Sequence, residues 1–304
     1  MKRLLITLGA MGVLGVVMAA LAVAAPSSGE RADTAAAATK LPPLPAEVRA
    51  RRRWQIGVKC DFPPFGYINR QNQVAGYDAD VARRFAELAF GRRNRVSITC
   101  VTSPSRIPTL QQKRVDIIIS TLTWTAAREE IIDYSRPYYN ATGRLLVPNN
   151  SSIRRLADLN GRTVTTTTTA IYATWIRNCF KGANLITTTS PVAAVENVKQ
   201  GRADAFMFDD TFLLGVAAND PALKMTAHKF LNIPYGIGIR KGETAMKRWV
   251  DAAILTMKRR DEFIRILHRN VPRRFWPSFQ NQVPRPKTKE AYPRGRTPES
   301  ECPR

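Results

Sequence analysis

Ile117, Ile118 and Ile119 follow one another between Asp116 and Ser120, leaving no room for a polar face. Alternate side chains of a strand point to opposite sides, so such a run must be covered on both, as at the centre of a parallel sheet flanked by helices. The surrounding segments read the same way. Residues 54–59 (WQIGVK) and 96–101 (VSITCV) have strand character. Between them, residues 78–90 place Val81, Phe85, Leu88 and Ala89 at helical spacing, with Gly91 as the stop. A short helix holding Ile107 and Leu110 leads into the isoleucine run. The order strand, helix, strand, helix, strand predicts parallel pairing through right-handed crossovers.

The pattern restarts after Asn149 and Asn150. Residues 162–168, 183–188 and 205–208 read as strands, with helices over residues 172–180 and around Val192, Val195 and Val198. A late strand at residues 235–240 precedes a helix carrying Met246, Val250, Ala253, Ile254 and Met257. A chain of 304 residues suits two domains better than one. The expectation is an α/β protein of two hinged lobes, with a cleft at the carboxyl ends of its strands.

Motifs narrow the chemistry. The two histidines, His228 and His268, are far apart and no CxxC occurs, which argues against a zinc site. Neither GxSxG nor GxxxxGK[ST] is present, and Gly236, Gly238 and Gly242 miss the GxGxxG spacing by one residue. No cofactor and no metal is expected.

Residues 1–25 combine Lys2 and Arg3, a long apolar run and an Ala-x-Ala-like end before Pro26, the pattern of a cleaved secretory signal peptide. Residues 26–53 read as a flexible basic leader ending in Arg51, Arg52 and Arg53, and residues 280–304 as a disordered basic tail. Export permits disulfides. Cys60 and Cys100 each end a predicted strand and would lie close if those strands are parallel neighbours; Cys179 and Cys302 stay unassigned.

Several segments resemble, in order, the bacterial extracellular solute-binding proteins of family 3, which serve polar amino acid ABC transporters: VKCDFPPFGY, VAGYDADVARRFAE, VTSPSRIPTLQQKRVDIIIS, TLTWTAARE, DYSRPYY, LADLNGRTV, VKQGRADAFMFDD and YGIGIRKG. They span about residues 54–276. The resemblance implies the type II periplasmic-binding-protein (Venus flytrap) fold, with lobe 1 at residues 54–143 plus 235–279 and lobe 2 at 144–234. It implies a periplasmic, monomeric protein that captures a small-molecule amino acid and delivers it to an ABC transporter permease, with no enzymatic activity and no nucleic-acid partner.

By the same resemblance, Arg128 clamps the ligand α-carboxylate, Thr121 and Thr123 bind carboxylate and amino group, and Asp209 holds the ammonium. Physical chemistry supports the first role. Thr125 is a natural N-cap, so Arg128 puts a cation in the first helical turn, where the dipole disfavours it unless an anion is near. Its planar fork suits a carboxylate. Asp210 is expected to point away from Asp209 and to cap the next helix. Phe62 packs on the ligand's aliphatic part, and Thr169 with Ala170 forms a loop where many members have Gly-Thr-Thr. Lys59, Arg106 and Ser103 face the ligand side chain and resemble the glutamate/aspartate-binding branch, although Lys59 stands where Arg is usual and Pro191 where a His can occur. The rivals are a cyclohexadienyl- or arogenate-dehydratase-like enzyme on the same fold and an amino-acid sensor. A formal net charge of +23 raises a nucleic-acid reading too, but no motif supports it.

Overall fold

The computed structural model describes residues 41–294 together with Cys302 and Pro303. Residues 1–25, read above as a signal peptide, and residues 26–40 of the leader lie outside the described residues.

Two sheets carry the architecture. The first runs in the order Val96–Val101, Trp54–Lys59, Ile117–Ile118, Gly238–Arg240, Ile132–Tyr134. Trp54–Lys59 pairs parallel with both neighbours, whereas Gly238–Arg240 is antiparallel to its own. The isoleucine run sits at the sheet centre, as its composition requires. Val96–Val101 forms an edge and stays partly exposed. The helix Tyr77–Phe90 buries Val81, Ala82, Phe85 and Ala86, while Leu88 and Ala89 pack at its margin. Gly91 ends it at φ 69°, returning its N–H to the Glu87 carbonyl, a conformation that suits a residue without Cβ. Trp249, from the helix Thr244–Arg259, packs on Trp54 with ring centroids 5.0 Å apart.

The second sheet runs Asn184–Thr188, Thr163–Thr167, Ala205–Asp209, Tyr139–Pro148, Leu223–Met225, with Phe230–Tyr235 also paired to Tyr139–Pro148. The first three strands are parallel and the others antiparallel to Tyr139–Pro148. Tyr139–Pro148 follows the first-sheet strand Ile132–Tyr134, and Phe230–Tyr235 precedes the first-sheet strand Gly238–Arg240. The chain thus crosses between sheets twice, through two strands that pair from Tyr139 opposite Tyr235 onward. This is the mixed α/β, two-lobed architecture expected.

Two expectations about the ends need correction. Within the supposed leader, Ala46–Arg51 is a helix that buries Val48, and the Arg51 guanidinium meets Asp116 at 2.5 Å. The supposed disordered tail is docked over residues 280–294. Gln282 donates to Asp210 and accepts from Tyr139, Val283 is buried, Arg285 makes two bonds to Asp261, and Lys258 pairs with Glu290. Tyr292 stacks on Trp124 and donates to the Ser135 carbonyl. Composition misled because a few anchors suffice: two apolar side chains, and basic groups that meet acids on the body. Cys60 is bonded to Cys100, and Cys179, in the helix Ile171–Cys179, to Cys302.

Candidate functional site

The carboxyl ends of strands from both sheets converge on one pocket. Lys59 ends Trp54–Lys59, Thr121 and Thr123 follow Ile117–Ile118, Thr167 ends Thr163–Thr167, and Asp209 ends Ala205–Asp209. All ten residues singled out from the sequence line it: Lys59, Phe62, Ser103, Arg106, Thr121, Thr123, Arg128, Thr169, Ala170 and Asp209. Thr167, Ile171, Tyr172 and Phe208 complete the wall. The cavity measures about 20 Å³, room for roughly a water molecule, so the walls are drawn together. Arg128 bridges them directly.

Arg128 belongs to the helix Ala126–Ile131, which Thr125 caps by accepting the Arg128 N–H at 3.2 Å. Its Nη1 donates to the Thr123 carbonyl and its Nη2 to the Thr169 carbonyl, both at 2.9 Å. The guanidinium is thereby held at the meeting point of the two walls. Thr169 and Ala170 lead into the helix Ile171–Cys179, whose start has no side-chain cap.

Lys59 is 1% exposed. Its ammonium donates to Ser103 Oγ at 2.9 Å and lies 4.3 Å over the Phe62 ring. Burial, then the neighbouring Arg106 cation, lowers its pKa to about 8. Arg106 opens the helix Arg106–Gln111 and donates from Nη1 to the carbonyls of Ser120 and Thr121, while its Nε is buried without a partner. Burial, followed by repulsion from Arg128, lowers its pKa to about 10. Both remain cationic at neutral pH.

Asp209 accepts from Tyr172 at 2.7 Å and from Tyr235 at 2.5 Å. Burial raises its pKa although both phenols favour the charged form. Asp210 does turn away, accepting from Thr142 and Gln282, but caps no helix: it is the first residue of Asp210–Asn219, and Asp209 stands at the cap position. Phe62 lines the pocket and packs on Phe212 and Phe208 with ring centroids 5.1 and 5.8 Å away.

Sequence reasoning did not assign site roles to Thr167, Tyr172 or Asp78. Thr167 Oγ1 is buried without a hydrogen-bond partner, and its place at a strand end was the available signal. Tyr172 was read only as a helix residue. Asp78 lies just outside the wall, and its carboxylate accepts the Thr121 N–H at 2.9 Å. Thr121 has φ +47°, a left-handed conformation that a β-branched residue adopts only when held. Three cations, Lys59, Arg106 and Arg128, and one carboxylate, Asp209, line the pocket among the hydroxyls of Ser103, Thr121, Thr123, Thr167, Thr169 and Tyr172. Among the described residues no group of three or more His, Cys, Asp or Glu side chains could hold a metal ion.

The model of the bacterial extracellular solute-binding proteins, family 3, matches residues 54–272. A glutamine-binding protein of Geobacillus stearothermophilus is 34% identical over 64% of this chain and 75% of its own. The ABC transporter glutamine-binding protein GlnH of Bacillus subtilis (strain 168) is 30% identical over 70% and 79%. An L-glutamate/L-aspartate-binding protein of Pseudomonas aeruginosa is 32% identical over 63% and 67%. Among solved structures, holo ArgBP from T. maritima superposes with a TM-score of 0.64 at 27% identity, covering 70% of this chain and 93% of that one. The solute receptor for L-cysteine of Neisseria gonorrhoeae gives 0.72 at 21%, over 77% and 95%, a likeness of fold. With the family model covering most of the folded body and the strand ends of two sheets forming one polar pocket, the chain belongs to the bacterial extracellular solute-binding proteins of family 3.

Proposed function

We infer that the protein is a periplasmic receptor for an amino acid with an acidic side chain, glutamate or aspartate, which it delivers to the permease of an ABC transporter. The reading rests above all on Lys59 and Arg106, two buried cations in the pocket that also holds Arg128 and Asp209. An α-carboxylate on Arg128 and an ammonium on Asp209 account for one cation and one anion. Lys59 and Arg106 then face whatever the ligand side chain presents, and a second carboxylate offsets their charge where a basic side chain would add to it. Lys59 is a point charge without a fork, so discrimination between the two acids is expected to be shallow.

The ligand would bridge lobe 1, residues 54–143 plus 235–279, and lobe 2, residues 144–234, stabilising the closed arrangement that a membrane partner recognises. Residues 1–25 would direct export. The alternative ligand is glutamine, favoured by the names of two relatives and by Arg106, whose Nη1 is already committed to the Ser120 and Thr121 carbonyls. Calorimetric titration of residues 26–304, refolded to strip bound ligand, separates the two. Saturable binding of glutamate or aspartate, at least tenfold tighter than glutamine, is the expected result. Tighter binding of glutamine, or of arginine, refutes the acidic preference while leaving the receptor role intact.

A further inference from the structure

Beneath the pocket lies a buried acid that the ligand itself would not touch. Asp78 is wholly buried at the start of the helix Tyr77–Phe90. Its Oδ2 accepts the Thr121 N–H at 2.9 Å, and its Oδ1 accepts the Tyr138 hydroxyl at 2.9 Å. The Tyr138 oxygen in turn accepts from the same Thr121 N–H at 3.2 Å. Asp78 and Tyr138 therefore hold from behind the left-handed turn that presents Thr121 to the pocket, while Arg106 grips its carbonyl side.

The groups acting on Asp78 come from every neighbouring element. Tyr138 precedes the crossing strand Tyr139–Pro148, and Tyr77 adjoins Asp78 in its own helix. Lys59 and Arg106 supply the attractive charges, and Asp209 acts on the same two cations from the opposite wall. Burial, the largest effect, pushes Asp78 up to about 7 against the favourable bonds from Tyr138 and Thr121. The carboxyl is thus poised between its two forms at neutral pH, and the charge of Lys59 and Arg106 helps keep it ionised.

We propose that Asp78 is a positioning residue that sets the Thr121 turn and takes up a proton from solvent when an anionic ligand side chain occupies Lys59 and Arg106. The proposal rests on the acidic-ligand reading above. A second carboxylate on those cations cancels the field that favours ionised Asp78, so one carboxylate is gained by the site as another becomes a carboxylic acid. The Thr121 bond survives the change, and the bond between Asp78 and Tyr138 reverses its direction. A protonated Asp78 still accepts the Thr121 N–H on one oxygen, and Tyr138, whose hydroxyl both donates and accepts, can receive the new O–H on the other.

Proton uptake is read by titrating glutamate at pH 7 in buffers of different ionisation enthalpy. If ligand moves the Asp78 midpoint up by about one unit, about 0.4 proton is taken up per glutamate bound. Lys59, with a midpoint near 8, can add only about 0.1 at that pH. Asp78→Asn keeps an acceptor for the Thr121 N–H and should reduce uptake to the Lys59 share. Tyr138→Phe removes the bond favouring ionised Asp78 and should also reduce uptake, which guards against an Asn variant that does not fold. Glutamate binding with no uptake, or uptake unchanged in a folded variant, overturns the role of Asp78. Failure of glutamate and aspartate to bind at all overturns instead the reading on which it rests.

Discussion

Replacing Arg128 by Ala separates affinity from stability. Its two terminal nitrogens converge on the pocket from carbonyl anchors on opposite walls, Thr123 and Thr169. A bound α-carboxylate receiving two charge-assisted bonds from this fork loses about 3–6 kcal/mol on truncation, at roughly 1.5–3 kcal/mol per bond. That corresponds to a rise in Kd of about two to four orders of magnitude. The fold should hardly notice. The Thr123 carbonyl keeps the Tyr134 hydroxyl at 2.9 Å, the Thr169 carbonyl is at an exposed residue, and the Thr125 cap uses the backbone N–H at position 128, which Ala retains. Calorimetry and thermal melting of the same ligand-free preparation provide the assay. A Kd within threefold of the parent refutes the clamp, and a large fall in Tm means that Arg128 was supporting the fold. Arg128→Lys, which keeps the charge but not the fork, should recover only part of the affinity.

Other consequences follow from burial and docking. Lys59→Met should stabilise the ligand-free protein at pH 7 by about 3 kcal/mol while weakening glutamate binding, because burial lowers the Lys59 pKa to about 8 from the ordinary lysine value of 10.5. The penalty is complete below about pH 8, where both states hold the proton, and is relieved as pH rises from about 8 to 10.5. Denaturation across that window should therefore show the parent gaining on the variant, and a constant difference counts against a buried, charged Lys59. Tyr292→Ala removes a ring packed between Trp124 and Tyr134 and should cost about 2–3 kcal/mol, or roughly 5–10 °C in Tm. An unchanged melting curve would mean that the segment over residues 283–294 does not stay docked in solution.

Local patterning carried much of the architecture. Ile117, Ile118 and Ile119 demanded a strand covered on both faces and form the centre of the first sheet, and Gly91 ended its helix in a left-handed turn as its missing Cβ allows. Lys59, Thr121, Thr123 and Asp209 were legible because each lies at or just after the end of a parallel strand, the place where an open α/β sheet presents side chains to a cleft. Contacts distant in the chain were not legible, since periodicity reports the face a residue occupies and says nothing of what it meets. Asp78 entered the sequence reading only as the first residue of a helix, yet it is a buried acceptor for a turn 43 residues later. Asp209 offered no sign that Tyr172 and Tyr235 would hold it from two elements. The terminal segment, rich in Pro, Lys and Arg, had the composition of unstructured chain, but Tyr292, Val283 and paired charges dock it, and Cys302 reaches Cys179 across 123 residues. Sequence alone determined the main strands and helices of the two sheets and ten of the residues that ended beside the cleft. Tertiary structure alone decided the partners of buried charge, because a charge removed from water takes its pKa and its role from the groups that replace the water.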